Sequence, residues 1–87
     1  MKVNLSEQNF DLDSFLSSIN LFEMIHGNYP NYVVMNEQTC DAIESRYRTF
    51  YVENEVYFKH SKRYNSKIFG APIAYCDALP FGIVDII

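Results

Sequence analysis

Two helix-spaced apolar stripes, separated by a short stretch that cannot be helical, constrain this chain more than any other feature. Phe15, Ile19, Phe22 and Ile25 recur at steps of four, three and three, which is one face of an α-helix. Ser17, Asn20 and Glu23 fall off that face. Asp11 or Asp13 can cap the start, because a short carboxylate accepts hydrogen bonds from the orphan N–H groups of a first turn. Gly27 with Asn28 closes the segment, glycine being the residue that tolerates a left-handed cap. Pro30 then forbids a restart. The pattern predicts a helix over residues 11–26.

Tyr32-Val33-Val34-Met35 follows as a short apolar run, β-branched at its centre and bounded by Pro30 and Asn36. That is the profile of a buried strand. Asn36 is placed to cap a second helix, with Glu37 near the positive end of its dipole. Cys40, Ile43, Tyr47 and Phe50 form its stripe, at steps of three, four and three. Phe15, Ile19, Phe22, Ile43 and Phe50 are therefore expected in one core.

Residues 50–59 fit two patterns. Phe50, Val52, Asn54, Val56 and Phe58 alternate with Tyr51, Glu53, Glu55, Tyr57 and Lys59, a period of two that suggests a hairpin turning near Glu53-Asn54. The second helix running on is the alternative. Val, Tyr and Phe dominate, which favours strand. Lys59 to Lys67 is basic and turn-rich and reads as a loop. Ile68 to Tyr75 is apolar, with Pro72 assigning it to a sheet edge or a bulge. Asp77 to Gly82 holds a turn on Leu79-Pro80-Phe81-Gly82, and Ile83 to Ile87 closes as a strand. The expected fold class is α+β: two helices packed on a small mixed or antiparallel sheet. Residues 1–87 form a single domain, with 1–10 as an N-terminal segment free to be flexible.

Composition agrees. The chain has 87 residues, 48% of them hydrophobic and 16% aromatic, too apolar for disorder and long enough for one core only. The segment from Met1 to Asn9 carries one lysine and no apolar run, unlike an export signal. No stretch approaches the roughly 18 apolar residues of a membrane span. Cys40 and Cys76 match no metal or redox spacing and read as reduced, buried thiols. These features predict a cytoplasmic protein. The net charge of −4 hides a step: residues 1–45 carry seven acids against Lys2 alone, and residues 46–67 six bases against Glu53 and Glu55. Such a chain can offer an acidic and a basic face.

A resemblance to a known family rests on three short steps. Pro30 to Thr39 runs from a strand through Met35-Asn36 into a helix, Gly70-Ala71-Pro72-Ile73 follows, and Asp77-Ala78-Leu79-Pro80-Phe81-Gly82 ends the series. Together they resemble the axial part of the major capsid protein of tailed bacteriophages, the Hong Kong-type coat fold, over residues 11–87. The resemblance implies a small phage or prophage protein of the host cytoplasm or the virion, acting by protein contact around a capsomer centre. The chain departs from that family in length, having no room for the spine helix, N-terminal arm or extended loop. Residues 50–67 match nothing in it.

Nothing in the motifs supports catalysis: there is no Gly-rich phosphate loop, no nucleophile elbow and no H-E-x-x-H. His26, His60, Cys40 and Cys76 lack the close ligand pairs that zinc sites use, so no metal or cofactor is expected. The candidate binding residues are Arg46, Arg48, Tyr57, Lys59, Lys62, Arg63, Tyr64 and Lys67, cations interleaved with tyrosine. A solvated loop is the plainer account of the same residues. A protein partner, either viral coat or a host or defence protein, comes next. Nucleic acid is last, because the chain is acidic overall, with a pI near 4.9. The seven tyrosines exceed what a small core needs, and tyrosine is enriched at interfaces.

Overall fold

The computed structural model describes residues 1–54, 58–59 and 67–87. In chain order the elements are β1 (Lys2–Asn4), α1 (Leu12–His26), β2 (Val33–Met35), α2 (Glu37–Asn54), β3 (Phe58–Lys59), β4 (Lys67–Ile68), β5 (Ala71–Tyr75) and β6 (Ile83–Ile86). The strands lie side by side in the order β1-β6-β2-β5-β4-β3. Only β2 and β5 run parallel; every other neighbouring pair is antiparallel. The chain is thus α+β, with a mixed sheet.

Helix α1 forms as its punctuation dictates. Asp11 takes the N-cap, its carboxylate accepting from the Asp13 N–H at 3.2 Å and from the Ser14 hydroxyl at 2.9 Å. Gly27 ends the helix at φ 74°, its N–H donating to the Glu23 carbonyl at 2.8 Å. Leu12, Phe15, Ile19 and Phe22 are buried, but Ile25 is 63% exposed. At 100° per residue the stripe drifts: steps of three carry Ile25 about 80° away from Phe15 around the axis. Ile25 therefore departs from the stripe on which its spacing placed it.

Helix α2 starts as expected, the Asn36 side chain accepting from the Thr39 N–H at 2.7 Å and donating to the Leu79 carbonyl at 3.1 Å. It runs to Asn54, so the hairpin expected to turn at Glu53-Asn54 is not there. Phe50 belongs to both patterns, and a helix already capped and propagating prevails over the modest strand preference of Tyr51 and Val52. Cys40 and Ile43 are fully buried; Tyr47 and Phe50 lie outside the described side chains.

The sheet's buried residues alternate. Val33, Met35, Val84 and Ile86 join both helices in one cluster, while Val34, Ile83 and Asp85 between them stay partly accessible. Three further expectations change here. The apolar run from Ile68 to Tyr75 is broken by a turn at Phe69-Gly70, where both residues have positive φ (50° and 82°), as a two-residue type I′ hairpin requires. Strand β5 is interior, despite Pro72. Its pairing with β2 begins at Val33↔Ile73, so the missing N–H falls just before the first rung of that ladder. The N-terminal segment is not free: Lys2–Asn4 pair with β6 and Leu5 is fully buried. Nothing in its sequence alternates strongly enough to show this.

Candidate protein-binding surface

In its last two turns α1 is apolar on two faces. Leu21, Met24 and Ile25 sit at i, i+3 and i+4, so their side chains adjoin on the helix surface. At 100° per residue, Leu21 and Met24 point about 120° and 180° away from Phe15, and Ile25 about 80°. Their exposures are 43%, 76% and 63%. The apolar stripe of a helix is normally turned to a core, and among the described residues only the stripe of Phe15, Ile19 and Phe22 is buried. Isolated exposed apolar residues are ordinary, whereas an adjoining group is not.

The chain leaving α1 continues the surface. The His26 ring lies against Phe22, centroids 4.2 Å apart, which fixes the end of the helix. Tyr29 and Tyr32 are 38% and 49% exposed. The Tyr29 hydroxyl donates to the Phe69 carbonyl, holding the Asn28–Asn31 connection against the β4–β5 hairpin. Burial, and secondarily the Glu23 carboxylate, raises the Tyr29 pKa, so the phenol stays protonated and keeps that bond. Tyr32 and Ile87 exchange backbone hydrogen bonds of 3.2 and 3.0 Å, which brings the 47% exposed Ile87 beside Tyr32. Among the described residues, six of the eight large apolar side chains that are exposed thus fall between Leu21 and Tyr32 or beside Tyr32.

Arg46 is exposed on α2, and Arg48 lies further along the same helix. Lys59 in β3 and Lys67 in β4 are directly opposite in register, and Lys67 is exposed. Tyr57, Lys62, Arg63 and Tyr64 lie outside the described residues. The sequence reading passed over Leu21 and Met24 and placed Ile25 on the apolar stripe of α1. A count of both faces of α1, rather than the better stripe alone, would have found all three.

Two other places offer chemistry. A depression of about 300 Å³ is lined by Asn36, Glu37, Gln38 and Asp77, but Asn36 is already committed to capping α2 and to Leu79. Among the described residues no three His, Cys, Asp or Glu side chains come together as a metal site would need. Cys40 is fully buried, and its thiol is pushed up to about 11, mainly by burial and against the hydrogen bond from the Tyr75 hydroxyl at 3.6 Å. It is therefore a protonated thiol at neutral pH and a poor nucleophile. No helix among the described residues is long and apolar enough to cross a membrane.

Comparison with protein-family models, with curated proteins and with solved structures gives no match to this chain.

Proposed function

We propose that this chain is a non-enzymatic binding module that docks a protein partner on the outer face of α1 and the adjoining Tyr29–Tyr32 connection. The observation that carries this reading is the second apolar stripe, Leu21, Met24 and Ile25, left uncovered by a fold that buries Phe15, Ile19 and Phe22 completely or nearly so. Aromatic side chains beside it supply the large, stiff contacts that dominate protein interfaces. The coat-protein resemblance puts such contact in the setting of phage assembly. Modulation of a host or bacterial immune protein is the alternative, and the identity of the captured partner separates the two.

The test is a pull-down from infected cells with the wild-type chain, with Met24→Asp, and with Lys62→Glu/Arg63→Glu. Capture should survive the basic-segment variant and fail for Met24→Asp. The reverse result would transfer the binding role to the cations of residues 46–67. Recovery of nucleic acid in place of protein would overturn both readings.

A further inference from the structure

We draw no further inference here: the strongest candidate, the exposed apolar patch of Leu21, Met24 and Ile25 on the last two turns of α1, carries nothing beyond the docking surface proposed above, because nothing in the structure shows what covers it.

Discussion

Replacing Gly82 with alanine should be among the most damaging small changes this fold can receive. Gly82 closes the turn that delivers the chain into β6, with the Ile83 N–H donating to the Pro80 carbonyl at 3.1 Å. Its φ is 86°, and a side chain in that conformation costs about 1–2 kcal/mol. A Cβ there would also stand 2.0 Å from the Ser6 hydroxyl oxygen, 3.0 Å from Ser6 Cβ and 3.3 Å from Ser6 N. The hydroxyl can rotate away, but the Cβ and backbone cannot without moving the connection after β1. That connection is held by the Leu5 N–H donating to the Gly82 carbonyl at 2.7 Å. Overpacking of this kind adds about 1–3 kcal/mol, so the total is about 2–5 kcal/mol from a domain whose whole stability is of order 5–15. Urea melts of Gly82→Ala, Ser6→Gly and the double variant form a cycle that separates the parts. Removing the Ser6 side chain should recover about 1–3 kcal/mol in the Gly82→Ala background and leave the backbone cost behind. A loss below about 1 kcal/mol in the single variant would refute the close approach and the turn together.

Other perturbations follow from the same geometry. Ile43→Ala, at a fully buried position facing the α1 stripe's core, should cost about 2–5 kcal/mol in a denaturant melt. Thr39→Val should cost about 1–3 kcal/mol, because the buried hydroxyl accepts from the Gly82 N–H at 2.9 Å and valine leaves that donor unsatisfied. The Cys40 thiol, raised from 9.0 to about 11 in the folded chain, should be alkylated in the unfolded protein well below the pH at which the folded protein reacts. The folded state holds this proton more tightly, so the associated stability is full below about pH 9 and is lost as pH rises toward 11. Melting temperatures across that window, compared with Cys40→Ala, measure it.

Local chemistry made the helices and β2 legible. A cap, a left-handed glycine and a proline are short-range signals, and α1 from Asp11 to Gly27 obeys each of them. What escaped reading depends on partners distant in sequence. Lys2–Asn4 become a strand only because β6 is there to receive them. Pro72 looked like an edge residue because sequence alone does not show where the β2 ladder starts. Residues 50–54 carried two periodicities at once, and the tie was broken by the helix behind them. The exposed stripe on α1 was hidden in the sequence by the stronger stripe beside it. A helix with two apolar faces gives a weak periodic signal, since the faces cancel.

The position of β6 has a consequence for how the molecule is made. It lies between β1 and β2, pairing Lys2 with Asp85 and Val33 with Ile86, yet it follows both by most of the sequence. Closing so long a loop costs little extra in equilibrium stability, because that entropy grows only with the logarithm of length. The rate suffers more, since non-local pairing must wait for its entropy cost to be met before any contact rewards it. On a ribosome, β1 has no neighbour and β2 keeps an open edge until the segment after Gly82 emerges. Val33–Met35, apolar throughout, is the stretch most exposed to pairing with another chain in that interval. The helices on either side of it, α1 and α2, form from local signals alone and can shelter its buried face early. Its edge stays bare until β6 arrives.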